Sequence, residues 1–128
     1  MHISLTHTSG VPMYEQIVEQ IRHGVYSGEL IAGEALPSLR QLARDLEVSL
    51  ITTTRAYNDL AAEGIIVNQP GRGSYVLPVD PAVVKGRLAE RLKTEAQAIS
   101  RTAHLAGLSE QQLLRIVTDA YLEDPDHV

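Results

Sequence analysis

The amino-acid sequence predicts a mainly α-helical chain that carries one small β-hairpin. Three observations lead there. Apolar residues recur at a period near 3.6 in several separate segments, the mark of helices with one buried face. Two short runs rich in β-branched and aromatic residues, IIVNQ and SYVLP, flank the turn sequence PGRG, the pattern of a hairpin. An Asp80-Pro81 step then interrupts the chain within LPVDP. Two units are therefore expected, 11–78 and 79–128.

The first helix begins near Pro12, because proline suits a first helical turn. Met13, Ile17, Ile21 and Val25 recur every four residues, with Tyr14 and Val18 beside them. Glu15, Gln16, Glu19, Gln20 and Arg22 fill the opposite side, and Gly28 is the expected stop. The stretch GELIAGEALP reads as a connector with turn glycines. A short second helix follows Pro37. Ser38 caps it, Gln41 three residues on completes a capping box, and Leu39, Leu42, Ala43 and Leu46 form its buried stripe up to Glu47.

The next stretch, VSLITTTRAY, is ambiguous, since Ile51 and three consecutive threonines favour a strand by propensity. A strand needs alternation, which fails beyond a few residues. At helical spacing, Leu50, Thr53, Thr54, Tyr57, Leu60 and Ala61 fall on one side, and Ile51, Thr52, Arg55, Asn58 and Ala62 on the other. Burial of that stripe outweighs propensity differences of a few tenths of a kcal/mol per residue, so a helix is expected, with Ser49 as its N-cap. Its outward face near the start is Ser49, Ile51, Thr52 and Arg55. The hairpin follows Glu63-Gly64, with Arg72 at its tip between two glycines.

Asp80-Pro81 opens a fourth helix. Val84, Leu88, Leu92 and Ile99 line one side of it, with Ala96 and Ala103, as far as Gly107. Ser109 and Gln112 make another capping box, and Leu113, Leu114, Val117, Ala120 and Tyr121 line a fifth helix. A two-helix hairpin covers its own apolar surface poorly. Val84, Leu88, Leu92, Ile99, Leu113, Leu114, Val117 and Tyr121 are accordingly expected to bury against a second copy, giving a homodimer. The acidic tail EDPDHV is expected to fray.

Composition narrows the function. The chain has 128 residues, 44% of them apolar, with no Trp, Phe or Cys. The core must be aliphatic with help from tyrosine, and disulfides, thiolate metal sites and cysteine nucleophiles are excluded. No apolar run approaches a membrane span, and MHISLTHTSG lacks the regions of a signal peptide. No membrane partner is expected, and a cytoplasmic location is the default. The histidines His2, His7, His23, His104 and His127 have no metal-binding spacing, no phosphate-binding loop is present, and nothing places two carboxylates in one cleft. Neither an enzyme nor a cofactor is expected. The net charge of −5 weighs against a polyanionic partner, but within 37–75 Arg40, Arg44, Arg55 and Arg72 balance Asp45, Glu47, Asp59 and Glu63.

Helix, short helix, tight turn, helix and hairpin, in that order, make a helix-turn-helix with a wing. Such a second helix can lie in the major groove of DNA. Arg55 could then reach guanine O6 and N7, Ser49 and Thr52 could contact phosphates or bases, and Ile51 could pack on a thymine methyl. Arg72 at the wing tip could enter the minor groove or meet phosphates, and Arg40 could anchor on the sugar-phosphate backbone. The plainer readings are that exposed arginines and single surface apolar residues are common. Thr53 and Thr54 read as packing residues, and Arg44 as a surface or ion-pairing residue.

The blocks VPMYEQIVEQIRHGVYSGEL, GEALPSLRQLARDLEVS, TTTRAYNDLAAEGII and GRGSYV, in this order and spacing over 11–78, resemble the GntR family of bacterial transcription regulators. The resemblance implies an N-terminal winged helix-turn-helix that binds double-stranded operator DNA as a dimer. It also implies DNA contact at the matching positions Arg40, Ser49, Thr52, Arg55, Arg72 and Gly73. Segment 79–128 is too short for the large effector domains of most such regulators. It looks like the two-helix dimerisation hairpin of the YtrA subfamily, whose recognition helix the segment VSLITTTRAY also resembles, Ile51 included. Glu47 stands where the family usually has glycine, so a non-glycine residue must hold that turn, and Thr54 replaces a residue that is often basic. The expectation is a sequence-specific transcription regulator, a repressor acting as a homodimer on an inverted-repeat operator, with no small-molecule effector assigned. The alternative is a winged-helix protein-interaction module without DNA binding.

Overall fold

The computed structural model describes residues 1–124. The end of the acidic tail, with His127, lies outside the described residues. Helix α1 (Met13–Ser27) turns Ile17, Val18, Ile21 and Val25 inward, as their recurrence requires. Gly28 closes it at φ 85°, its N–H donating to the Val25 carbonyl, a left-handed conformation that glycine takes without steric cost. Helices α2 (Leu39–Leu46) and α3 (Leu50–Ala62) follow. Ser38 Oγ accepts from the Gln41 N–H, and Ser49 Oγ from the Thr52 N–H, at 3.1 Å each. At α2 the box forms in its serine half. The Gln41 side chain donates to Asp45 Oδ1 at 2.7 Å and accepts from Arg44 at 2.9 Å, partners that lie one turn onward on its own face. Between α2 and α3, Glu47 adopts φ 55°, ψ 44°. A non-glycine side chain does hold the left-handed turn, at a cost of about 1–2 kcal/mol.

The core sits where α1 and α2 pack on α3, with Leu30, Leu36, Ile65, Ile66 and Val76 closing it from the connector and the hairpin. Strands β1 (Ile66–Gln69) and β2 (Gly73–Val76) pair antiparallel, Ile66 opposite Val76 and Gln69 opposite Gly73. The connector expected before α2 does more than turn. Leu36 N–H donates to the Ser74 carbonyl at 2.9 Å, Val76 N–H to Glu34 at 3.0 Å and Gly33 N–H to Val76 at 2.8 Å, so β2 is bonded on both edges and the wing is braced.

Periodicity placed Gln16 and Gln20 on the outer side of α1, but Gln16 is buried and Gln20 half-buried. Gln16 Oε1 accepts from the Thr6 N–H at 2.9 Å, and its Nε2 donates to the Thr6 and Val11 carbonyls at 2.8 Å each. Gln20 makes the same reciprocal pair with Ser4, at 3.0 and 2.7 Å. Two side-chain amides thus bind an extended N-terminal arm, whose Ile3 enters the core.

The chain divides into a first unit, Met1–Pro81, and a second from Ala82 onward. The second consists of α4 (Pro81–Leu105) and α5 (Glu110–Glu123). Here the capping box at Ser109 is complete, with Gln112 Oε1 accepting from the Ser109 N–H at 2.8 Å. Ala103 is buried, and Leu113 and Val84 are half-buried. Leu88, Leu92, Ile99, Leu114, Val117 and Tyr121 stay exposed, Leu92 at 64%. An open apolar cleft of 320 Å³ runs between the two helices, lined by Ile99, Ala103, Leu108, Leu113 and Ile116 among others. Among the described residues no helix is long and apolar enough to cross a membrane.

Candidate nucleic-acid interface

Helix α3 is anchored from beneath. Thr53, Ala56, Tyr57 and Leu60 are buried. The Thr53 hydroxyl donates to the carbonyls of Leu39 at 3.0 Å and Leu50 at 3.2 Å, and the Tyr57 hydroxyl donates to the Pro37 carbonyl at 2.7 Å. The bonds to Leu39 and Pro37 fix α3 against the start of α2. Burial of Tyr57 pushes its phenol well above the ordinary tyrosine range, so it stays a neutral donor.

The outward strip begins with Ile51, 79% exposed, and continues through Arg55 and Asn58. Two residues expected on the buried side lie elsewhere: Leu50 is exposed and Thr54 half-buried. The buried arc is rotated to include Ala56, which is fully buried, and that rotation carries Leu50 and Thr54 out to the side of the wing. There they line a groove of 630 Å³ together with Arg40, Asn58, Asn68 and Arg72. A shallower surface of 480 Å³ joins Leu50, Ile51, Thr54 and Asn58 to Arg55 and Asp59.

Arg40 and Arg72 thus share one groove, while Arg55 lies on the strip, on the shallower surface. Its guanidinium carbon lies 3.7 Å from the centroid of the Tyr14 ring, a cation–π contact worth about 0.5–1 kcal/mol at an exposed site. The Tyr14 hydroxyl donates to Glu15 Oε1 at 3.0 Å. That bond, and then desolvation, raises the Tyr14 phenol, with Arg55 opposing. Ser49 is exposed and Thr52 half-buried. Their hydroxyls lie 2.9 Å apart at the start of α3 and line neither groove.

At the wing tip Arg72 is exposed. Its N–H donates to the Gln69 carbonyl, and its own carbonyl accepts from the Tyr75 hydroxyl, both at 2.9 Å. Gly73 takes φ 118°, which a side chain would resist. Asn68 is held in the groove wall, its Oδ1 accepting from Ser74 Oγ at 2.6 Å. A separate clamp joins the far end of α3 to α1: Arg22 donates to both oxygens of Glu63 at 2.6 and 3.1 Å and to Glu19 at 2.5 Å. The bond to Glu63 raises the guanidinium further. Among the described residues no three His, Asp or Glu side chains group to hold a metal ion.

Sequence reasoning missed Tyr14, Asn58 and Asn68 as parts of this surface. Asn58 was legible, three residues beyond Arg55 on the same strip. Tyr14 and Asn68 come from other elements, and no local spacing marks them.

The sequence pattern of the bacterial regulatory proteins of the gntR family matches residues 13–76. Over 112 residues the chain is 32% identical to the HTH-type transcriptional repressor YtrA of Bacillus subtilis strain 168, an overlap of 87% of this chain and 85% of that protein. A GntR family transcriptional regulator from Listeria monocytogenes superposes with a TM-score of 0.71 at 28% identity, over 87% of this chain and 96% of the other. YtrA from Sulfolobus acidocaldarius, a GntR-family transcription factor, superposes with a TM-score of 0.58 at 36% identity, over 72% and 97%. These relatives are regulators of transcription rather than enzymes. With the pattern matched from α1 through the wing, and identity sustained across most of a repressor, the chain belongs to the GntR family of bacterial regulatory proteins.

Proposed function

We propose that the chain is a sequence-specific DNA-binding transcription regulator, working in the cytoplasm as a homodimer that represses by occupying an inverted-repeat operator. The observation that carries this reading is the arrangement around α3. An exposed strip of Ile51, Arg55 and Asn58 on a firmly anchored helix is flanked, across the groove toward the wing, by Arg40 and Arg72. A major groove bordered by phosphates has the complementary layout. Residues 11–78 act as the DNA-binding domain. Ile51 faces the base edges, and Ser49 and Thr52 meet the duplex at the helix start, where free N–H groups favour phosphate. Arg55, exposed on the strip and stacked on Tyr14, reaches guanine O6 and N7 or a phosphate. Arg72 enters the minor groove or meets its phosphates, and Gly73 allows the wing backbone to come close.

Residues 79–128 act as the dimerisation tail. Val84, Leu88, Leu92, Ile99, Leu113, Leu114, Val117 and Tyr121 supply apolar surface that one copy of α4 and α5 leaves largely uncovered, and a second copy is the economical cover. Two-fold symmetry then calls for an inverted repeat. A relative that matches 87% of this chain is a transcriptional repressor, which supports repression over activation. The net charge of −5 favours a rival, a winged helix that binds another protein instead of DNA.

Selection of bound duplexes from a random pool separates the two. The expected outcome is enrichment of an inverted repeat, with log K falling against log salt at a slope near −5 for about six phosphate contacts. A pool that stays random through successive rounds refutes the regulator and leaves the protein-binding module.

A further inference from the structure

The guanidinium of Arg55 is held by its face and left open at its edge. Its carbon lies 3.7 Å from the centroid of the Tyr14 ring. Among the described residues no hydrogen bond or ion pair engages its N–H groups. Yet two carboxylates stand close by. Asp59, one turn onward on α3, lines the same surface as Arg55. Asp59, Glu15 and Tyr14 together line a second surface between α1 and α3. Oppositely charged residues four apart on a helix commonly pair, and a carboxylate accepts the guanidinium fork in two bonds. An arginine paired in that way has fewer donors left for a nucleic acid.

Tyr14 opposes both pairings. It is half-buried and packs against the core, so the seat it offers is in place before any ligand arrives. Stacking uses the flat face of the guanidinium and leaves its in-plane donors unspent. The Tyr14 hydroxyl donates to Glu15 Oε1 at 3.0 Å, which ties that carboxylate to the phenol. We propose that Tyr14 is a positioning residue for DNA binding. Its ring fixes the plane of Arg55 and its hydroxyl occupies Glu15, so the arginine offers its donors to the duplex and not to a neighbouring carboxylate. The inference rests on the proposal that α3 faces DNA, and it holds whether Arg55 meets a base edge or a phosphate.

The test measures the affinity of the full chain and its variants for the duplex recovered by random-pool selection. Tyr14→Leu keeps apolar bulk and removes the ring. It is expected to weaken binding about two- to fivefold, the weight of an exposed cation–π contact, and to have no further effect in an Arg55→Ala background. Tyr14→Phe keeps the ring and releases Glu15. Its smaller loss is expected to be recovered by Glu15→Gln, a change that gains less when Tyr14 is present. A tyrosine with a merely structural role weakens binding equally with and without Arg55, and that result overturns the inference. Wild-type affinity in Tyr14→Leu, or Tyr14→Phe binding no better than Tyr14→Leu, overturns it too. Should Tyr14→Leu fail to melt cooperatively, the Phe variant decides: coupling between Tyr14→Phe and Glu15→Gln upholds the inference, and additivity overturns it. In each of these failures a selected duplex with salt-dependent binding leaves the DNA-binding reading standing. A chain that selects no duplex overturns both.

Discussion

Tyr57→Phe removes a single oxygen from the centre of the structure that supports the strip. Tyr57 is 1% exposed, and its hydroxyl donates to the Pro37 carbonyl at 2.7 Å, directly before the Ser38 cap of α2. Losing the donor leaves that carbonyl short of a partner at a cost of about 1–3 kcal/mol. Phenylalanine recovers part of this because it carries no hydroxyl to desolvate. A net loss of about 1 kcal/mol is expected, which lowers the urea midpoint followed by circular dichroism at pH 7 by about 0.5 M for a slope near 2 kcal/mol/M. The pH dependence supplies an independent check. Burial raises the Tyr57 phenol well above its usual value of 10.0. Below pH 10 both folded and unfolded states keep the proton, and this group adds no slope. Above it the unfolded chain releases the proton and the folded chain holds it, so stability falls by about 1.4 kcal/mol per pH unit. The Phe variant lacks this term, so the two stability curves run parallel below pH 10 and converge above it. Equal midpoints at pH 7 together with curves that stay parallel above pH 10 would refute the reasoning.

Three further outcomes are expected. Arg72→Ala lowers affinity about evenly across operator variants and reduces the magnitude of the salt slope by about one; loss of preference at one base pair alone, read by gel shift, would contradict a phosphate contact. Glu47→Gly relieves the left-handed turn at φ 55°, and after the extra chain entropy of glycine it stabilises by about 0.5–1 kcal/mol, seen as a melting temperature raised by a few degrees; a lowered one would show that the turn is not strained. Leu92→Asp with Leu114→Asp puts carboxylates on the exposed faces of α4 and α5, and sedimentation should report a monomer with a winged helix that still melts cooperatively; an unchanged dimer would place the interface elsewhere.

The helices were legible because each has one apolar face, and burying a face leaves a period in the sequence. Ser49, Ile51 and Arg55 could be placed outward for the same reason. The turn at Glu47, left-handed at φ 55°, was readable only through the resemblance to a family that usually has glycine there. What periodicity could not supply was anything set by a partner distant in sequence. It counts glutamine as solvent-facing, yet Gln16 and Gln20 spend their amides on the backbone of an arm ten and sixteen residues upstream. It weights Leu50 heavily and Ala56 lightly, whereas packing of the fold buries the alanine and leaves the leucine in the groove. The bonds from residues 33–36 to β2, and the seat of Arg55 on Tyr14, likewise depend on elements that meet only after folding.

An acidic chain that reads DNA has to concentrate its few cations. In the proposed complex one protomer brings Arg40, Arg55 and Arg72 to the duplex, and about three phosphate contacts give a salt slope near −2.7. At physiological salt that is a weak hold, and the remaining charge of the chain does nothing to strengthen it. Joining two winged helices through α4 and α5 doubles the contacts and makes the second half-site an intramolecular encounter, with an effective concentration in the millimolar range for a short connection. The tail would then supply the affinity that the wing and α3 lack singly. Sequence discrimination would come from the exposed strip of α3, where one mismatched base pair costs about 1–3 kcal/mol in each half-site. On this division of labour a monomeric variant keeps its base preferences and loses its grip. Retention of full operator affinity by the Leu92→Asp, Leu114→Asp monomer would therefore break the link between tail and groove, even with every contact of α3 left intact.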